Sequence, residues 1–157
     1  MRNKFRCWIE KEFEDKFIKF YATPVGILED NIGIFNKDII KKNIEKILSE
    51  NESELFIKEF NENTYNDGYV WIECEEIEEC IGINDLSGSP IFEGDFITNS
   101  AREGDDNLML VVWDDDMCAF MKEHSLGSKS YFGEQINDNI TIVGNFHQNK
   151  ELISIWR

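Results

Sequence analysis

Residues 81–97, IGINDLSGSPIFEGDFI, set turn formers so close together that only short strands fit between them. Asp85 and Gly88 stand at the first and fourth positions of a turn, the places where a type I turn favours Asp and Gly, so a tight hairpin is expected there. Pro90 then opens the returning strand, where its missing N–H costs little, and Ile91 and Phe92 resume the apolar pattern. Gly94, between Glu93 and Asp95, is expected to take a positive φ or a bulged conformation that bends the chain into a strand over residues 96–98. The same triplet invites a catalytic reading, because two carboxylates across a bend can hold a metal or work as acid and base. Acidic residues around a turn glycine more often bond local backbone donors, and that structural reading is adopted for Glu93 and Asp95.

The remainder of residues 79–157 repeats this alternation of strand and turn. After a loop over residues 99–107, residues 108–113, LMLVVW, form the strongest strand pattern in the chain, and Asp114, Asp115 and Asp116 turn it into residues 117–121 as a second hairpin. The three Asp lack the spaced ligands and closing Glu of a calcium loop, so a solvated turn is expected. Residues 126–132 read as a polar connection, residues 140–145 as another strand, and residues 152–156 as a terminal strand.

The N-terminal half is mixed. Phe5, Cys7 and Ile9 alternate with basic side chains as in a half-buried strand, which puts Trp8 on the basic face and Arg6 where its stem can cover a neighbouring ring. Residues 16–35 suggest two short strands joined by turns at Pro24 and Gly26. From Lys37 the apolar residues Ile40, Ile44, Ile47 and Leu48 recur at helical spacing, with Asn36 as N-cap and an exit at residues 49–53. Leu55, Phe56 and Phe60 allow a further helical turn or two. Residues 61–68 read as a polar loop, residues 69–72 as a buried strand, and the Glu-rich run 73–80 as a solvated connector. A lobe boundary there divides the chain into residues 1–78 and 79–157.

Charge constrains function more than any single residue. The 157 residues carry a net charge of −16; residues 1–80 hold 11 Lys+Arg against 19 Asp+Glu and residues 81–157 hold 5 against 13, so each half carries −8. No basic stripe exists to displace counterions from a phosphate backbone, which disfavours direct nucleic-acid binding. No apolar run approaches the length of a membrane span, and the first fifteen residues are too charged for a secretory leader. Cys7, Cys74, Cys80 and Cys118 contain no CxxC pair, and His124 and His147 have no nearby ligand partner, so reduced thiols and no metal or cofactor are expected.

The segment 81–97 resembles the signature of the YopX-like proteins of temperate phages and prophages, "tGlkDknGkeIyEGDiv", through Gly82, Asp85, Gly88, Ile91, Glu93, Gly94 and Asp95. Phe5, Arg6 and Trp8 match the family's "kfRaWd", with Ile9 where an acidic residue is usual. Val111, Val112, Trp113 and Asp114 match a "vvWd" strand and its turn. Near the C-terminus ITIVGNFHQNKELI is similar to "vevIGNiyenpeLl": Gly144, Asn145, Asn149, Glu151 and Leu152 align, while Val143 replaces Ile and Lys150 replaces Pro. The resemblance implies a largely β fold, and with the helix pattern after Lys37 the expectation is an α+β, mainly β fold whose mixed N-terminal lobe is built on one main amphipathic helix. The resemblance also implies a C-terminal lobe related to small SH3-like barrels and a bacterial host, whose cytoplasm is the compartment expected from the lack of a span or leader pattern.

The family has no assigned activity, and no catalytic pattern stands out among these residues. The leading expectation is a non-catalytic protein-interaction module with an unidentified protein partner, contacted through exposed aromatics among Trp8, Tyr65, Trp71, Tyr131 and Trp156. The alternatives are an acidic nucleic-acid mimic that inhibits a host DNA-binding protein, and a metal-dependent hydrolase built on Asp114–Asp116 or on Glu93 and Asp95. Homo-oligomerisation is open, since short edge strands need covering.

Overall fold

The alternating residues at the N-terminus do form a strand, but it is covered on both faces. In the computed structural model, which describes residues 4–29, 31–59, 68–99, 108–132 and 139–157, β1 (Phe5–Phe13) buries Cys7, Trp8 and Ile9 in succession. Trp8 is therefore not on an open basic face; it is 4% exposed, its ring 4.8 Å from that of Tyr21. Among the described residues the architecture is mostly β with three α-helices, and the chain divides into two compact units, residues 5–78 and Lys4 with residues 79–157.

In the first unit, β1 pairs antiparallel with β2 (Lys16–Ala22), in register from Cys7 opposite Ala22 to Phe13 opposite Lys16. Residues 16–35 contain three strands, not two. β3 (Gly26–Leu28) and β4 (Ile32–Asn36) follow β2, and β4 is central to an antiparallel sheet of order β3-β4-β5, completed by β5 (Tyr69–Glu73). Gly33 is required at its position because a Cβ there would lie 2.6 Å from the Phe35 ring.

Asn36 caps α1 (Lys37–Glu45): its backbone is extended and its Oδ1 accepts from the N–H groups of Asp38 at 2.9 Å and Ile39 at 3.4 Å. Ile40 and Ile44, one turn apart, are buried, whereas Ile47 lies beyond the helix end and is exposed. The expected exit is also the start of a second full helix, α2 (Glu50–Glu59), where the Ser49 hydroxyl accepts from the Glu52 N–H and donates to its carboxylate. Among its described residues this unit thus has two α-helices where one main helix was expected. Phe56 from α2 joins Ile9, Phe13, Phe20, Phe35 and Val70 in one core cluster.

The Glu-rich run is not a solvated connector. β6 (Glu76–Asn84) is a nine-residue strand, and the division between the units falls within it. In the second unit β6 meets β7 (Pro90–Phe92), with Cys80 opposite Phe92 and Asn84 opposite Pro90. A curled five-stranded antiparallel sheet follows, of order β11-β10-β9-β8-β12. It comprises β8 (Asp95–Asn99), β9 (Met109–Asp114), β10 (Ala119–His124), β11 (Lys129–Tyr131) and β12 (Ile140–Asn145). β11 lies in the stretch that the sequence presents as a connection.

Alternate residues of β8 and β9 enter two apolar clusters. Ile97, Met109 and Val111 meet Ile91 and Ile140, while Phe96 and Leu110 meet Leu152, Ile153 and Trp156. The last three belong to α3 (Lys150–Trp156), so the expected terminal strand is a helix laid over one face of the sheet. The loops expected at residues 61–68 and 99–107 fall, apart from Gly68 and Asn99, outside the described residues, as do Phe60 and Tyr65. Among the described residues no helix is long and apolar enough to cross a membrane.

Candidate functional site

Most polar residues singled out in the sequence hold backbone in place. Asp85 is buried at the end of β6. Its Oδ1 accepts from the Ser87 N–H (3.0 Å), the Ser87 hydroxyl (2.7 Å) and the Ser89 N–H (3.0 Å), and its Oδ2 from the Ile142 N–H (3.2 Å). Burial pushes this carboxyl up, but the Ser87 hydroxyl and the three backbone donors outweigh it and hold Asp85 below the usual carboxylate range. Gly88, with a φ of 87°, donates its N–H to the Asp85 carbonyl and closes the turn. Gly82 also has a positive φ, and Ile91 is fully buried.

The Glu93-Gly94-Asp95 bend is equally committed. Gly94 has a φ of 89°; its N–H donates to the Val111 carbonyl and its carbonyl accepts from the Phe146 N–H, both at 2.8 Å. The Glu93 N–H donates to the Glu79 carbonyl, and Asp95, 1% exposed, accepts from the Phe92 N–H through Oδ2 at 2.9 Å. Gly144 admits no side chain, since a Cβ would stand 2.7 Å from Asn149 Oδ1 and Leu152 Cδ1. Asn145 accepts from the N–H groups of His147 and Gln148 through Oδ1, while Asn149 Oδ1 accepts from the Asn145 N–H, so the two asparagines clamp the turn into α3.

Asp114 lies three residues along β9 from Val111, the residue level with Gly94, and serves a different turn. Its Oδ1 accepts from the Met117 N–H and its Oδ2 pairs with Lys129 Nζ at 2.8 Å. Lys129 first, and then the Met117 N–H, hold this carboxyl below its usual range. Within either unit, no three His, Cys, Asp or Glu side chains among the described residues bring ligand atoms within 4.8 Å of one another.

In the first unit, Arg6 Nε bonds Glu78 Oε1 at 2.8 Å, and the guanidinium carbon lies 4.5 Å over the Tyr21 ring. Glu78 is 1% exposed, and burial pushes its carboxyl above the usual range although Arg6 opposes the shift. Sequence reasoning missed Glu78, because five glutamates within seven residues resemble a solvated run. The thiols of Cys7 and Cys74 are buried and free. Their mutual hydrogen bond and their burial push the Cys7 thiol up, which keeps it protonated and inert.

The aromatics divide into core and surface. Trp8 is buried; Trp156 is partly buried and donates its Nε1–H to the Glu123 carbonyl at 3.0 Å; Tyr131 is exposed. Trp71 is half-buried and lines a cleft. Phe17, Tyr69 and Trp113 were missed as surface aromatics, and of these Trp113, 43% exposed near the end of β9, stands beside the acidic turn. Its ring is edge-on to Phe120 with centroids 5.0 Å apart, and its Nε1–H donates to Asp115 Oδ1 at 2.8 Å. Exposed Met117 belongs to the same acidic turn. A tryptophan ending a strand in front of three aspartates was the available signal. Chemically, this arrangement offers a fixed aromatic surface beside carboxylates, suited to contact with another chain.

A search of curated proteins found no match to this chain. The family model described as YopX protein matches residues 36–154, well over half of the 157 residues. That span contains the Asp85 hairpin, the Gly94 bend and the Asn145 clamp, and on this match the chain belongs to the YopX family.

Proposed function

We propose that this chain is a phage-type accessory protein of the host cytoplasm that acts as a non-catalytic protein-interaction module, with residues 79–157 as an SH3-like barrel and residues 1–78 as a mixed second lobe. Family membership supports the phage setting, and the curled antiparallel sheet supports the barrel. The observation that carries the reading is Trp113: a large aromatic ring, 43% exposed, held by the edge of Phe120 and by Asp115. Holding the ring in advance lowers the ordering cost of binding, and tryptophan is the residue type that most often dominates interface energy. The motif residues Gly82, Asp85, Gly88, Ile91, Glu93, Gly94, Asp95, Gly144 and Asn145 then act structurally, as the frame behind that surface, while Phe5, Arg6 and Trp8 frame the other lobe.

The experiment is affinity capture from bacterial lysate with the wild-type chain and Trp113→Ser, after both are shown to melt alike. Partners held by the wild type and lost by the variant support the reading; identical captures overturn it. The net charge of −16 favours a second reading, nucleic-acid mimicry. A captured nuclease released from the protein by competing DNA would select it.

A further inference from the structure

The strands β1 and β5 part company in the first unit, and the gap between them has a distinct chemistry. The Glu75 N–H donates to the Trp8 carbonyl at 2.9 Å, while the Cys74 N–H turns away to the Asn31 carbonyl at 2.8 Å and joins the sheet of β4. Beyond this fork a cleft of about 240 Å³ opens. Its lining includes Ile9 and Ile72, both buried core residues, and the half-buried Trp71.

Three carboxylates line the same cleft: Glu10, Glu73 and Glu75. Glu10 is oriented by the Trp8 Nε1–H, which it accepts at 2.8 Å. Glu73 and Glu75 are exposed, and among the described residues neither carboxylate has a hydrogen-bond or ion-pair partner. The basic residue of the cleft is Lys11, whose Nζ stands 3.9 Å from Glu59. An apolar lining, an indole and excess carboxylate together favour a cation with a flat, weakly hydrated face. A guanidinium meets that description: it stacks on an aromatic ring and donates in a fork to carboxylates, whereas a compact ammonium stays strongly hydrated. A divalent ion needs oxygens converging on one point, and these three carboxylates do not form such a group.

We propose that this cleft binds an arginine side chain carried on an extended segment of a basic partner protein. The charge of the whole chain, −16, steers such a partner inward and repels a second copy of this chain. Among the described residues β5 is the outer strand of its sheet, so the segment carrying the arginine has a strand to run along. The site lies wholly within residues 5–78 and does not depend on Trp113.

The test is a titration of the ¹⁵N-labelled full-length protein with the peptide acetyl-Gly-Gly-Arg-Gly-Gly-amide, followed by nuclear magnetic resonance. Saturable shifts of the Trp71 indole N–H and of the Glu10, Lys11 and Glu73 amides are expected. The citrulline peptide, the same shape without charge, should bind about tenfold more weakly or worse, as the loss of one charged contact implies. The double variant Glu73→Gln/Glu75→Gln, at exposed positions that leave the core intact, should weaken the arginine peptide by a similar factor. The proposal is overturned by shifts centred elsewhere, by no saturable shift, by citrulline or lysine peptides binding as tightly as arginine, or by an unaffected double variant.

Discussion

Gly94 sits at a φ of 89°, with its N–H bonded to Val111 of β9 and its carbonyl to Phe146 in the turn after β12, so the backbone cannot rotate away without breaking two bonds. An L side chain is strained there, and Gly94→Ala should lower stability by about 1 kcal/mol or more in urea unfolding. An unchanged midpoint would show that the bend relaxes freely. Asp85 is a different case, because its worth lies in accepting four hydrogen bonds as an anion. In Asp85→Asn one side-chain oxygen becomes a donor facing backbone donors, and the cost should be about 2 kcal/mol at neutral pH. The pH dependence has a definite sign. A carboxyl held low in the folded state contributes fully while the unfolded chain is also ionised, above about pH 4–5, and the contribution is lost as pH falls through the folded value. The stability gap between the wild type and Asp85→Asn should therefore be flat from pH 8 to about pH 5 and close below about pH 4. A gap that widens in acid would contradict the hydrogen-bond assignment. Both residues were legible in the sequence because turns are local: Asp and Gly three apart, or Gly between acids, carry their own conformational reason. Glu78 was not legible, since its burial depends on Arg6, 72 residues away.

At the scale of the element, legibility followed length and capping. The Asn36 cap and the Ile40–Ile44 stripe announced α1, while the start of α2 was written as Ser49 followed three residues later by Glu52, a capping signal overlooked because it also suits a helix exit. α3 was misread because Leu152–Trp156 is too short for period two and period 3.6 to be told apart. Its spacing of Leu152, Ile153 and Trp156 makes sense only against Phe96 and Leu110, which lie more than forty residues earlier. The helix now explains the position of Lys150. That residue is the first of α3, where a helical N–H has no partner to lose and proline is pre-organised. Lys150→Pro should raise stability by about 0.5 kcal/mol, less whatever the Lys150 contact with the Phe146 ring supplies. A loss of about 1 kcal/mol in thermal unfolding would refute the helix start. In α2, Ser53 is fully buried with a hydroxyl that has no partner among the described residues. Ser53→Ala removes that unmet polar group and improves helix propensity, so a gain of about 0.5–1 kcal/mol is expected, and a loss would reveal a bond to the hydroxyl.

For the whole molecule the controlling quantity is charge. The mainly β class was readable because strand alternation and turn punctuation recur throughout, whereas the two-sided burial of β1 and of the five-stranded sheet was not, because it requires elements distant in sequence to cover the second face. The net charge of −16 was readable without any structure, and it acts against the compact state by self-repulsion. Salt tests how large that term is. Raising sodium chloride from about 0.02 M to about 0.5 M shortens the screening length from roughly 20 Å to roughly 4 Å, which removes repulsion between separated carboxylates. The same change weakens exposed ion pairs such as Lys16–Glu52 and Lys41–Glu54, but surface pairs contribute little. The buried Arg6–Glu78 pair is shielded from the added ions. Repulsion should therefore dominate the response, and the melting temperature should rise by several degrees across that range. A flat or falling melting temperature would mean that the carboxylates are spread widely enough for repulsion to be negligible, and would also weaken the case for a phosphate-like acidic face.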